Sequence, residues 1–289
     1  MQYKVSIKRK CYLLSVLLMT VWLTGCVQEE FESTPSPAGN GIRFTLTVPD
    51  VNLPSVSSRT MTGTGTAKKE DEIETVDILV FDMSKTPAVF LEWVSATGVT
   101  QDLADNSTVS FSAVLSPTTA STCIVVVANK ELDNIVSGFT KGATTKVEAM
   151  EKMLHTQTGK WLADGSTTGG YTRIPMYGEK VISKITPSMD PITGINMKRM
   201  LARIDIRNNS ATSNFTVEEV YLANYNTTGY IAPAWNTNGQ VTDPVPDTPV
   251  LPAGSGKMTE EGDAILYSVN GNTPYDGEIY TFESLAAED

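Results

Sequence analysis

The chain has 289 residues, 40% of them hydrophobic and 19% charged, which suits one large folded domain or two ordinary ones rather than a disordered tail. Lys plus Arg is 22 against 33 Asp plus Glu, so the formal net charge is -11, a balance that repels nucleic acid. One histidine, His155, and three cysteines exclude a histidine-rich metal site and any disulfide framework beyond a single bridge. A catalytic triad would have to be built on His155 alone, no carboxylate pair falls in a recognisable motif, and no cofactor or metal is expected.

The first residues carry Lys4, Lys8, Arg9 and Lys10 with no acid, followed by an apolar run from Tyr12 to Trp22 and then Leu23-Thr24-Gly25-Cys26. This is the layout of a secretory signal, and the run is shorter than the roughly 20 apolar residues that span a bilayer. Leu-Thr-Gly-Cys resembles the lipobox of bacterial lipoproteins, which implies cleavage before Cys26 and acylation of its thiol. One acyl chain binds a membrane only reversibly, whereas two or three on one cysteine hold firmly. The residues behind it, Val27-Gln28-Glu29-Glu30-Phe31-Glu32, read either as a surface-export signal or as a solvated tether. Loss of residues 1–25 removes four positive charges, giving (22 - 4) - 33 = -15. Cys123 is then the one free thiol. It lies in the β-branched run Thr122-Cys123-Ile124-Val125-Val126-Val127-Ala128 and is expected to be a core residue rather than a nucleophile.

Residues 26–41, rich in Ser, Pro and Gly, form the expected tether. Ile42 to Val48 alternates strictly, which predicts a half-buried strand with Ile42, Phe44, Leu46 and Val48 facing inward. Residues 49–72 have no apolar period and hold Pro49, Pro54, Arg59, Thr60, Lys68 and Lys69, so a long loop is expected. The Gly63 to Lys68 stretch lacks the preceding strand and the Gly-Lys-Ser/Thr ending of a phosphate-binding loop. Strands are predicted over Ile73 to Phe81, Ala88 to Val94, Val109 to Leu115 and Thr122 to Ala128. The Thr145-Lys146-Val147-Glu148 capping box predicts a helix with Val147, Met150 and Leu154 on one face. His155 falls at its expected C-terminal end, where a helix dipole favours the imidazolium. Short strands follow at Ile174 to Tyr177, Val181 to Ile185, Met200 to Ile206, Phe215 to Tyr225, Ala264 to Val269 and Glu278 to Glu283, with a Pro-rich loop from Asp243 to Pro252. The sum is a mainly antiparallel β protein of sandwich type with one or two short helices.

The order of these pieces resembles the fimbrillin family, the lipoprotein-derived pilins of type V pili in certain Gram-negative anaerobes. The pieces are Cys26, Ile42 to Val48, Ser57-Ser58-Arg59-Thr60, the stretch Glu72 to Asp82, Ile124 to Asn129, Lys198 to Ile206 and Phe215 to Asn224. The resemblance implies two transthyretin-like β-sandwich domains, here residues 42–197 and 198–289, the second expected to be incomplete. It also implies a surface-exposed outer-membrane lipoprotein cut by a trypsin-like protease between Arg59 and Thr60. The strand Ile42 to Val48 then leaves, and a strand of another copy or a related subunit fills the groove by β-augmentation. Two other readings stay open: a tip or anchor subunit that keeps its lipid and is not polymerised, and a surface carbohydrate-binding lipoprotein. The second would show exposed aromatics on one face, whereas Trp93, Trp161 and Trp235 are scattered.

Overall fold

The computed structural model describes residues 42–48, 70–101, 108–162, 172–206, 216–242, 249–255, 264–268 and 275–284. The signal segment, Cys26, the tether, Arg59 and Thr60 lie outside these residues. All described residues fall within one compact unit, Asn40–Asp289.

Two sheets carry the architecture. The first is four-stranded, in the order β4 (Thr97–Gln101), β5 (Thr108–Ala113), β1 (Ile42–Thr47), β9 (Ile192–Asn196). The second is five-stranded, in the order β10 (Lys198–Arg199), β8 (Met176–Ile182), β6 (Thr122–Ala128), β2 (Val76–Asp82), β3 (Val89–Ser95). Three two-stranded ribbons complete the described structure: β11 (Ala202–Ile206) with β15 (Tyr275–Thr281), β12 (Glu219–Leu222) with β14 (Ile265–Ser268), and β13 (Thr228–Tyr230) with β7 (Leu154–Thr156). The fold is mainly β and mainly antiparallel, as the alternation predicts; β1 against β9 is a parallel pair.

The apolar runs of β2 and β6 follow from their place in this sandwich. Ile78, Val80, Ile124 and Val126 face one core with Phe44, Leu46, Val109, Phe111, Ile192 and Ile195 of the four-stranded sheet. Leu79, Phe81, Cys123, Val125 and Val127 face a second core with Met150, Met153, Trp161, Ile231, Tyr280 and Phe282. A strand covered on both faces has no solvent side and so shows no alternation. The free edge of β3 is covered by a short segment: Phe90 N donates to Thr144 O at 2.8 Å, and Lys146 N donates to Ala88 O at 2.8 Å. That pairing blunts an edge otherwise open to aggregation.

Two helices are short: α1 (Asp133–Val136) and α2 (Lys146–Lys152). The capping box at α2 forms as expected. Thr145 N donates to Glu148 Oε2 at 2.8 Å, and Glu148 N donates to Thr145 Oγ1 at 3.2 Å. The buried face of α2 differs from the predicted one, being Lys146, Ala149 and Met150. The helix stops at Lys152, because Leu154 to Thr156 pair with β13. His155 is therefore a half-buried strand residue opposite Gly229, not a helix-end cation. Its ring lies 5.0 Å from that of Trp161. Burial, with the Lys130 charge adding to it, lowers its pKa to about 4, the reverse of the helix-end expectation.

The two strands expected at Ile174 to Tyr177 and Val181 to Ile185 are one strand, β8, running through Gly178-Glu179-Lys180. The polar interruption has two local causes. A Cβ at Gly178 would lie 2.7 Å from Met197 Sδ and 2.8 Å from Ile195 Cγ2, so the β8–β9 approach needs glycine. Glu179 pairs at 2.6 Å with Lys146, whose side chain is buried.

Candidate functional site

The alternation of Ile42 to Val48 places its four apolar residues against the sandwich core, all at 4% exposure or less. This matches the predicted inward set. The strand is nevertheless not at an edge. On one side β1 runs antiparallel to β5, from Ile42 opposite Ala113 to Thr47 opposite Thr108. On the other it runs parallel to β9, with Phe44 opposite Ile192 and Leu46 opposite Ile195, and an irregularity between them. Met197 N donates to Thr47 O at 2.9 Å. Phe44 stacks on Phe111, ring centroids 5.1 Å apart and planes 6° from parallel. Lifting β1 out would open an apolar furrow bounded by the unpaired backbone groups of β5 and β9.

Where the chain re-enters the described structure it is anchored independently of β1. Glu70 is 3% exposed. Its carboxylate accepts from Arg203 Nη1 at 2.9 Å and from the Tyr280 hydroxyl, while Arg199 Nε donates to its carbonyl at 3.0 Å. Gln101 Nε2 donates to Asp71 O at 2.8 Å, and Asn129 Nδ2 donates to Glu72 O at 2.8 Å. Asn129 can reach because it takes a left-handed backbone, φ 58°, which asparagine tolerates. Arg173 Nη1 pairs with Glu74 at 2.6 Å. These anchors were not legible in the sequence. Glu70 falls there in the loop expected over residues 49–72, and its partners lie about 130 to 210 residues away. A basic residue within an alternating strand, as Arg203 stands between Ala202 and Ile204, carries no such signal.

The other singled-out residues sit in the interior. Cys123 is fully buried, and desolvation pushes its thiol up to about 12, so it is a core residue and not a nucleophile. Trp161 is buried, and Trp93 and Trp235 are half-buried against the same outer core, so these three form no exposed aromatic platform. Among the described residues no group of three His, Cys, Asp or Glu side chains is placed to hold a metal ion. No described helix is long and apolar enough to cross a membrane.

Fold and seat together define a β-sandwich protein whose first described strand is paired on both sides inside a sheet. Residues 42–245, starting at the first residue of β1, match the major fimbrial subunit protein (FimA) family, and the chain belongs to that family. No curated protein matches it. Two crystal structures from Parabacteroides distasonis are similar. One is a fimbrial assembly protein, 11% identical, with a TM-score of 0.39 over 84% of this chain and 77% of that one. The other is assigned to cell adhesion, 16% identical, with a TM-score of 0.45 over 87% of this chain and 73% of that one.

Proposed function

We propose that this chain is a non-enzymatic structural subunit of a bacterial surface fimbria, supporting adhesion. It is exported as a lipoprotein through Cys26, cut between Arg59 and Thr60, and joined to other subunits by donor-strand exchange. Family membership supports the fimbrial role. The observation that carries the assembly step is the position of β1, which is paired on both sides yet contributes only apolar side chains to the core.

Magnitudes favour exchange over simple loss of the strand. Four buried apolar side chains are worth roughly 1.5–3 kcal/mol each. Their sum approaches the whole stability of a typical domain, about 5–15 kcal/mol. Cutting the chain therefore does not expel β1. An incoming strand that fills the same seats and pairs the same backbone groups makes the replacement nearly balanced. The anchors from Glu70 to Glu74 support the same reading, because they hold the start of the remaining body while β1 changes hands. A cluster built from late residues alone, Tyr225, Ile265, Tyr267 and Ile279, supports a second module within residues 198–289, of which Lys198–Arg199 still belong to the five-stranded sheet.

N-terminal sequencing of the surface polymer tests the proposal. Subunits starting at Thr60 are expected; polymers that still begin at Cys26 would overturn the processing step and favour an anchor subunit. Cys26→Ser is expected to leave an unprocessed precursor that takes up no radioactive fatty acid, and normal labelling of that variant would end the lipoprotein reading.

A further inference from the structure

The four inward positions of β1 are not alike. Ile42 stands opposite the small Ala113, and Leu46 stands opposite Val109 and Ile195, aliphatic against aliphatic. Phe44 alone lies on an aromatic ring, stacked face to face on Phe111 and 1% exposed, with Ile192 as its partner on β9. Aliphatic seats accept swaps of similar volume. A slot walled by a flat ring does not, because a branched side chain leaves gaps along the ring face and forfeits contacts there.

This asymmetry bears on register. A strand that slips by two residues keeps the same face inward, so alternation alone cannot tell the correct pairing from a slipped one. We infer that Phe111 makes the second seat an aromatic-selective register pin: the strand donated by a neighbouring subunit places a planar ring where Phe44 now lies. The inference rests on the donor-strand reading above. The occupant is a strand of another fimbrial subunit, and β1 is the template for its chemistry: aliphatic, aromatic, aliphatic and aliphatic at alternate positions.

The test uses the intact protein cut with trypsin, which is inhibited before excess synthetic peptide is added because the peptide itself carries Arg43, and incorporation is read by native mass spectrometry. The reference peptide has the sequence of Ile42–Val48. Peptides carrying Phe44→Leu or Phe44→Ala leave the protein itself untouched, so folding of a variant is not at issue. An aromatic pair favours the ring by about 2- to 12-fold over an aliphatic one. The Phe44→Leu peptide is expected to compete less well by that factor, and the Phe44→Ala peptide by about 100-fold or more. A peptide with the Phe44 and Leu46 residues interchanged is expected to incorporate as poorly as the Phe44→Leu peptide, and a Phe111→Leu protein is expected to lose the preference for phenylalanine. Equal uptake of the Phe and Leu peptides would overturn the aromatic pin and leave strand exchange standing. Uptake of no peptide at all would overturn strand exchange itself.

Discussion

β1 and β6 are both interior strands, but they are held differently. β6 is covered on both faces and pairs antiparallel with β2 and β8 over its full length, Thr122 to Ala128. β1 is covered on one face, pairs in full only with β5, and meets β9 through a short, irregular parallel register. Polar contacts reinforce the surroundings of β6. Lys146 reaches Glu179 on the neighbouring β8 at 2.6 Å, and Ser95 Oγ donates to Asp77 Oδ1 on β2 at 2.6 Å. The inward side of β1 offers only repeated apolar seats. A strand whose neighbours are tied by buried polar contacts sits in a fixed frame, whereas a strand whose inward side fills only apolar seats can be replaced there by another of the same pattern.

The sharpest way to break this comparison is to place a charge in each strand. Val125 is fully buried in β6, and an unpaired buried carboxylate costs at least several kcal/mol, enough to remove most of a domain's stability. Val125→Asp is expected to yield no folded protein by near-UV circular dichroism. Leu46→Asp is expected to free β1 while the body folds around an added peptide of sequence Ile42–Val48. Equal loss of both proteins, with no rescue by peptide, would place β1 among the indispensable strands.

The next effect concerns Glu179. Its removal leaves the buried Lys146 ammonium without its carboxylate and takes an acceptor from Tyr177. Breaking a buried pair from one side costs about 3–5 kcal/mol. Glu179→Ala is expected to lower the urea midpoint accordingly; a change below about 1 kcal/mol would show that the pair is solvated.

Legibility in the sequence followed the strength of the local pattern. Ile42 to Val48 could be read because one face meets solvent, and Thr122 to Ala128 because a run of β-branched residues between turn signals has few other uses. The central pairing of β1 could not be read, since register partners as distant as Ile192 leave no local trace. β8 was obscured by Gly178-Glu179-Lys180, where close packing and an ion pair replace apolar residues. β9 was obscured by Gly194, which takes φ 71° within a five-residue strand. His155 was misplaced because the capping box marks where α2 starts but nothing in the sequence marks where β13 captures the chain.

That misplacement yields a smaller, pH-dependent prediction on the β6 side. The folded pKa of His155, about 4, lies below the ordinary value of 6.5, so the unfolded chain takes up the proton first. Its contribution to stability is complete above pH 6.5 and is lost as the pH falls toward 4. The slope in that window is at most about 1.4 kcal/mol per pH unit. Carboxylates titrate in the same range, so the difference between the native protein and His155→Gln isolates the effect. The native protein is expected to lose stability faster than the variant between pH 6.5 and 4; parallel curves would place the imidazole in water.

The smallest effect is expected at Thr145, and it probes how the five-stranded sheet keeps its edge closed. Thr145 caps α2 through its side chain and also bridges to Val89 of β3 through its backbone. Thr145→Ala removes the hydroxyl that accepts from Glu148 N, at a typical cost of about 1 kcal/mol, and leaves the backbone bridge in place. Stability is expected to fall by that amount, while amide exchange at Phe90 and Lys146, which pair across the covered edge, changes only in proportion. If the edge amides instead exchanged far faster than the global loss allows, the cap would be what holds residues 142–146 against β3. The edge beside β2 would then be as exchangeable as β1, and the contrast between the two sheets would fail at that strand.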